Sequence, residues 1–315
     1  MPQFVVLGEA LIDVFAEKGK PLRAAKTLHP APGGAPANVA VALARLDADV
    51  GFIGKVGVDD YGAFLIDLLA GEGIDCTYFE TDPRAPTMLG IVAVVSATEQ
   101  QFVLYNGANA LLTPAALSRS YITSAEIYIY GSVTLANESG IAAMQAARWA
   151  RAAGKQVIFD VNLRPLLWPD LELARQRIEA AVASATVAKL NDTELAFLTD
   201  QTDPAQGSQQ LIERGVELCC VSLGADGAFF NNGHAQGHVS GFSVEVQDTT
   251  GSGDAFVAGL SYQLGQVNAP LNKLDETELR AMVAFANACG ALAATQVGAM
   301  RASPSLAAVR ALINQ

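Results

Sequence analysis

Apolar residues along the chain follow two alternating rhythms. Short runs rich in β-branched residues give way to longer, alanine-rich runs with apolar positions three and four apart. The short runs are Phe4 to Leu7, Val50 to Ile53, Ile127 to Tyr130, Val157 to Phe159, Val187 to Leu190 and Cys219 to Leu223. They predict strands, and their lack of polar alternation fits strands covered on both faces. The longer runs are Pro36 to Leu46, Tyr61 to Ala70, Ser139 to Ala153, Leu171 to Ser184 and Leu279 to Ala294, and they predict helices. Such alternation predicts an α/β fold, a mostly parallel central sheet flanked by helices.

Two stretches break the rhythm. From Pro86 to Leu112 no helical period is visible, and Met88 to Val95 and Gln101 to Tyr105 read as a hairpin joined by Ser96-Ala97-Thr98-Glu99-Gln100. Asp13 to Leu28 also lacks a helix. Paired, these segments (about 13–28 and 86–112) would make a small β-sheet lid over one edge of the main sheet. Long non-helical insertions in α/β chains are often functional. With no repeat, low-complexity tract or linker, residues 1–315 read as one domain.

The charge balance narrows the partners. Twenty Lys and Arg against 32 Asp and Glu leave a net charge of -12 over 315 residues. A reader of nucleic-acid phosphates would need a basic stripe instead. No apolar run reaches the roughly 18 uncharged residues of a membrane span. The start, Met1 to Asp13, carries Glu9 and Asp13 but no basic segment, so it reads as a first strand and not as a signal peptide. Cys76, Cys219, Cys220 and Cys289 form no C-x-x-C pair, which suits small buried thiols in a reducing cytoplasm.

Candidate chemistry sits in glycine clusters. Asp248-Thr249-Thr250-Gly251-Ser252-Gly253-Asp254-Ala255-Phe256 follows an expected strand at Val244 to Val246 and opens a helical run from about Gly253 to Leu264. Gly251 and Gly253 permit a tight turn and close approach of a ligand. The first N–H groups of a helix lack internal partners and favour an anion. A carboxylate there, Asp254, suits a base that takes a hydroxyl proton while N–H groups hold developing charge, although an N-capping aspartate would look the same. Ala31-Pro32-Gly33-Gly34-Ala35-Pro36-Ala37-Asn38 pairs bare backbone with Pro36 in a first helical turn and an amide at Asn38 that can meet a hydroxyl as donor and acceptor. Gly54-Lys55-Val56-Gly57-Val58-Asp59-Asp60-Tyr61-Gly62 reads at least as well as a structural turn. Ser222-Leu223-Gly224-Ala225-Asp226-Gly227 ends a strand in a turn that could face phosphate or ribose.

Other phosphate and metal motifs are missing. There is no G-x-x-x-x-G-K-[ST], no H-E-x-x-H, and only Gly8 follows the first strand where a dinucleotide fingerprint needs three glycines. His234 and His238, four apart in a Gly-containing turn, read as exposed hairpin residues. His29 has no evident partner.

Taken together, Gly-Gly-Ala-Pro-Ala-Asn at 33–38 and Asp-Thr-Thr-Gly-Ser-Gly-Asp at 248–254 resemble the two signatures of the ribokinase-like (PfkB) family of carbohydrate kinases. The likeness runs over essentially the whole chain. Val6 to Asp13, Phe159 to Arg164, Lys189 to Glu194 and Cys289 to Ala293 bring it nearest to the family's bacterial fructokinases. The resemblance implies ATP-dependent phosphorylation of a primary hydroxyl, with D-fructose giving fructose 6-phosphate. It implies Asp254 as base, Gly251, Ser252 and Gly253 as the anion hole, and Arg164 reaching phosphate oxygens. Asp13, Gly33, Gly34, Asn38, Asn162 and Arg164 would hold the sugar. Asn191 and Glu194 would order Mg²⁺ and its waters, and Ser222, Gly224, Gly227 and Asn287 would hold the nucleotide. Asp248 and Thr250, with Ala293, Gln296 and Gly298, resemble a potassium site. ATP, Mg²⁺ and K⁺ are the implied cofactors, the cytoplasm the implied location, and a homodimer through the lid is compatible with family habit.

The sequence departs from the family in two places. Val161 stands where relatives carry proline before the asparagine and arginine. Leu104-Tyr105-Asn106-Gly107 lacks an arginine that many relatives place before this turn, which favours a neutral sugar over the carboxylated 2-keto-3-deoxygluconate. A 2-keto-3-deoxygluconate kinase, a ribokinase or a nucleoside kinase of the same family, or a sugar-binding sensor without turnover, are the competing readings.

Overall fold

The computed structural model describes residues 1–96, 100–267 and 269–315. The chain begins with β1 (Phe4–Leu7), β2 (Leu11–Ala16), β3 (Leu28–Gly33), β4 (Val50–Gly57), β5 (Asp75–Asp82), β6 (Leu89–Val94) and β7 (Gln100–Tyr105). It continues with β8 (Ile127–Gly131), β9 (Gln156–Asp160), β10 (Val187–Asn191), β11 (Leu218–Ser222), β12 (Ala228–Asn231) and β13 (Gln236–Val239). Nine of these form the main sheet in the order β13-β12-β11-β10-β9-β8-β1-β4-β5. All pairs from β5 to β11 are parallel, and β12 and β13 add an antiparallel edge.

Both faces of the sheet are buried, as the unbroken apolar runs required. In β1, Phe4 and Val6 join one core with the helices Ala35–Arg45, Ser252–Leu264 and Glu276–Ala293. Val5 and Leu7 join the other with Ser139–Ala152 and Leu171–Val182. The expected helices stand within three residues of their sequence limits at each end. Gly51 is held by packing, because a side chain there would overlap the Tyr121 hydroxyl.

The second sheet has four strands in the order β3-β2-β6-β7. Its β2–β6 pair is parallel, and its β2–β3 and β6–β7 pairs are antiparallel. The β-strands flank the expected 13–28 stretch instead of filling it, since β2 starts at Leu11 and β3 runs from Leu28 to Gly33. The hairpin β6–β7 stands where expected; Ala97, Thr98 and Glu99 of its expected link lie outside the described residues. Ala108–Leu111 is a short 3-10 turn, a local exception to the non-helical stretch. The sheet is fastened at its base by Asp59: its carboxylate accepts from Gly62 N, Thr87 N and Thr87 Oγ1, and Thr87 Oγ1 accepts from Gly57 N. The third glycine cluster is therefore structural.

The expected strand at Val244 to Val246 is absent. The segment joins no strand ladder, and Val246 is exposed. Its end is tied down by Gln247 N and Asp248 N, which donate to Ala294 O at the end of the helix Glu276–Ala293. Cys219, Cys220 and Cys289 are buried thiols, Cys76 is half-buried, and none is disulfide-bonded.

Candidate active site

A cleft of about 1540 Å³ opens between the C-terminal ends of the parallel strands and the small sheet. Two helix N-termini converge on it. The helix Ala35–Arg45 starts at Gly34 (φ 100°) and the helix Ser252–Leu264 at Gly251 (φ 82°), and neither carries a side-chain cap. Both glycines are required where they stand. A Cβ on Gly34 would press on the Glu9 carbonyl oxygen, and one on Gly251 would lie 2.7 Å from Ala299 Cα. Uncapped helix starts leave N–H dipoles for an anion.

Asp254 lies in the first turn of its helix and faces the cleft. Asn38, in the first turn of the other helix, donates from Nδ2 to Asp254 Oδ2 at 2.7 Å. Asn38 Oδ1 is buried without a hydrogen-bond partner among the described residues, as is Ser252 Oγ. Burial, with Asp160 adding to it, raises the Asp254 pKa to about 6 against the pull of Asn38, Lys189 and Arg164. Such a carboxylate is ionised at neutral pH and more basic than an exposed one, as a general base should be.

On the opposite wall, Asp13 stands on β2 facing the same cleft, and burial with the Asp254 charge also lifts it to about 6. A Cβ on Gly33 would overlap Asp13 Oδ2, and one on Gly90 would lie 2.8 Å from Oδ1. Gly90 pairs with Asp13 across β2 and β6. These two glycines leave the space that the carboxylate occupies. Arg164 is exposed in the cleft and spends one bond on Leu163 O. Asn162, beside it, adopts φ 34° and also lines the cleft.

Asn191 and Glu194 form a capping box at the end of β10, with Asn191 Oδ1 accepting from Glu194 N and Glu194 Oε2 accepting from Asn191 N, both at 2.8 Å. Glu194 Oε1 accepts from Leu163 N at 2.8 Å and so fixes the loop that carries Arg164. Asp248 Oδ1 accepts from Thr250 N and Oγ1, and Oδ2 accepts from Gly298 N at 3.0 Å. Asp248, Thr250 and Gly298 thus meet at the mouth of the cleft. Ala293 is buried at its helix end and Gln296 is exposed; neither borders the cleft.

Ser222 ends β11 and borders the cleft; Gly224 (φ 61°) and Gly227 (φ 99°) shape the turn beyond it. Gly227 cannot carry a side chain, which would overlap Val239 O and Gly241 N. Asn287 sits away from the cleft lining. Its Nδ2 donates to Val239 O and Ser240 O, so it braces the end of β13. His238 is exposed and meets Asp226 O, as a hairpin residue. Among the described residues no group of three His, Cys, Asp or Glu side chains could hold a metal by itself.

Three charged residues of the site were not singled out in the sequence. Lys189 is 5% exposed on β10 and pairs with Asp160 Oδ1 on β9 at 3.2 Å. Its Nζ lies 3.2 Å from where a Cβ on Gly253 would stand, directly under the anion-facing turn. Burial alone would lower its pKa, but Asp160, Glu194 and Asp254 outweigh that and raise it. Glu9 is 3% exposed between β1 and β2, and burial first, then Asp254, raises it to about 8. A lysine inside an apolar strand was the signal available for Lys189. The glutamate after β1 and the aspartate closing β9 were the others.

The chain matches the family model described as pfkB family carbohydrate kinase over residues 1–306. It is 39% identical over 318 residues to probable fructokinase-7 of Arabidopsis thaliana, covering 98% of this chain and 92% of that one. A fructokinase with bound ATP from Xylella fastidiosa superposes with a TM-score of 0.91 at 34% identity, covering 100% and 99% of the two chains. A double-mutant fructokinase from Vibrio cholerae O395, bound to fructose, ADP and potassium ion, superposes with a TM-score of 0.88 at 33% identity and coverage of 99% and 98%. With the two helix starts, the paired Asn38 and Asp254, and the small sheet facing them, these likenesses place the chain in the pfkB family of carbohydrate kinases.

Proposed function

We propose that this chain is a fructokinase, transferring the γ-phosphoryl group of ATP to the 6-hydroxyl of D-fructose. The observation that carries the reading is Asp254, ionised at neutral pH, gripped by Asn38 and set in the first turn of an uncapped helix facing the cleft. The fructokinase relatives, full length and similar in fold, support fructose as the acceptor. The small sheet lines the cleft with Phe15, Val92, Phe102 and Leu104, an apolar wall that suits a neutral sugar.

In the reaction Asp254 takes the proton of the 6-hydroxyl as its oxygen attacks the γ-phosphorus. The new O–P bond forms as the bond to the β-phosphate oxygen breaks, and ADP leaves. The backbone at Gly251, Ser252 and Gly253 stabilises charge on the transferring oxygens, as phosphoryl transfer requires more than covalent chemistry. Asp13, the Gly33-Gly34 backbone, Asn38 and Asn162 orient the sugar, and Arg164 meets phosphate oxygens. Ser222 and the Gly224–Gly227 turn border the nucleotide, with Asn287 acting through the strand it braces.

Both carboxylate oxygens of Glu194 already accept backbone N–H groups, each leaving a free lone pair. This fits magnesium held through water. Asp248, engaged by Thr250 and Gly298, fits a monovalent cation completed by carbonyls, with Ala293, Gln296 and Gly298 as the candidates. When bound, these ions supply positive charge to the phosphates and the anion hole. We place the enzyme in the cytoplasm, as one kinase domain whose small sheet closes as a lid and can pair with a second copy. No described helix is long and apolar enough to cross a membrane.

An ADP-release assay with ATP, Mg²⁺ and K⁺ against fructose, ribose, 2-keto-3-deoxygluconate, glucose and adenosine tests the reading. Turnover confined to fructose is expected. Preference for another acceptor would move the specificity, and no turnover with any of them would favour a sensor.

A further inference from the structure

Arg45 is the last residue of the helix whose first turn carries Asn38. Its Nε and Nη2 donate to both oxygens of Glu72, at 3.1 and 2.6 Å. Its Nη1 donates to the carbonyls of Met300, Arg301 and Ser303 at 2.9, 3.1 and 3.2 Å. The guanidinium thus gathers the carbonyl end of the short turn Ala299–Ala302, where a cation is favoured. The start of that turn lies on the anion hole: Ala299 Cα and Cβ are each 2.7 Å from where a Cβ on Gly251 would stand. Just before it, Gly298 N is tied to Asp248. Both Arg45 and Glu72 border the cleft that holds Asp254.

One helix therefore reaches the reaction centre from both ends. Asn38 grips the base, and Arg45, seven residues and about 10 Å further along, holds the turn packed on Gly251. We propose that Arg45, oriented by Glu72, is a positioning residue for phosphoryl transfer, seating the Ala299–Ala302 turn so that the backbone at Gly251 keeps its place. The inference rests on the kinase reading above. It needs the arginine fork, because an ammonium cannot engage Glu72 through two parallel bonds and three carbonyls at once. Arg45 lies on the anion-hole side, so its loss should spare the sugar contacts of Asp13 and Asn162. Misplacement of about 1 Å far from the chemistry can reduce turnover on the order of 100-fold.

The test is steady-state kinetics of wild type, Arg45→Ala, Arg45→Lys and Glu72→Gln with fructose and ATP, alongside thermal melts. Arg45→Ala should lose at least about tenfold in kcat with KM for fructose within about twofold, as a group acting only on the transfer step should. Arg45→Lys should stay low, and methylguanidinium should restore part of the Arg45→Ala activity without affecting wild type. Glu72→Gln should move kcat the same way by about threefold, and keeps the test available where an Arg45 variant does not fold. Unchanged kcat in these variants, a fall matched by a rise in KM, or a lowered melting temperature without rescue would overturn the proposal. An inactive wild type would instead bring down the kinase reading and this inference with it.

Discussion

Asp254, at a helix start, and Asp13, on the small sheet, face one cleft from opposite sides, and burial brings both to a pKa of about 6. Their supports differ. Asp254 stands over a floor of fixed charge, with Asn38 bonded to it and Lys189, Asp160 and Glu194 buried around it. Asp13 stands on a wall of small and apolar neighbours, Ala31, Gly90 and Leu104, in register across the small sheet. The floor can stabilise a moving charge without rearranging, and the wall can only shape and dry the site. On the reading proposed above, one carboxylate with the same pKa would serve as a base and the other as a sugar anchor.

The largest effect should come from breaking the floor. Asp254→Asn should reduce kcat by at least about 100-fold, in line with general-base contributions, while calorimetry still detects fructose binding. Near-normal turnover would remove Asp254 from the base role. Asp13→Asn should do the reverse, raising KM for fructose at least about tenfold with a smaller change in kcat. A pH profile sharpens the contrast. Both groups act ionised, so kcat/KM should fall below about pH 6, with a log–log slope approaching 2. In Asp13→Asn the slope should approach 1; an unchanged slope would mean that Asp13 does not titrate in the working enzyme.

A smaller effect tests the wall. Gly90→Ala places a Cβ 2.8 Å from Asp13 Oδ1 and should push the carboxylate aside. KM for fructose should rise about three- to tenfold at nearly constant kcat, as for lost uniform binding. Equal KM would mean that the carboxylate swings clear without losing the sugar.

The two regions also differ in how far the sequence revealed them. Gly251 to Asp254 and Gly33 to Asn38 were legible because each is a continuous motif whose chemistry is local: a tight turn, a bare helix start, one polar side chain. Lys189, Asp160 and Glu9 were not, because they come together only through strand register, Lys189 opposite Asp160 between β10 and β9. Gly90 was hidden for the same reason, being functional only as the partner of Asp13 across β2 and β6. The main-sheet strands were plain from double-sided burial. Val244-Glu245-Val246 also read as a strand, but no strand edge receives it, and local pattern cannot report a missing neighbour. Asn287 was placed near the nucleotide by likeness, whereas its amide is spent on the backbone of Val239 and Ser240.

Glu9 joins floor to wall, lying between β1 and β2, and it provides the smallest and most separable effect. Its carboxyl is buried, accepts a long bond from Thr134 Oγ1 at 3.4 Å, and is raised from an ordinary 4.5 to about 8, first by burial and then by Asp254. Between these values the folded protein keeps a proton that the unfolded chain has released. Stability must therefore fall as pH rises from about 4.5 to about 8 and level off above. Asp13, Asp254 and the buried Glu194 act with the same sign, and the windows of the first two close near pH 6, so the Glu9 share of the interval from 6 to 8 is read from its own variant. Glu9→Gln keeps the shape and has no proton to lose. Its melting temperature should decline less than that of wild type across this interval, ending about 1–2 °C higher near pH 8, the shift expected for about 1 kcal/mol at an unfolding entropy of about 2.1 cal/mol/K per residue over 315 residues. Parallel melting curves would mean that the carboxyl is already ionised when buried. The floor would then set a fourth carboxylate beside Asp254, Asp160 and Glu194 against the buried Lys189, and the added charge would make Asp254 a stronger base still.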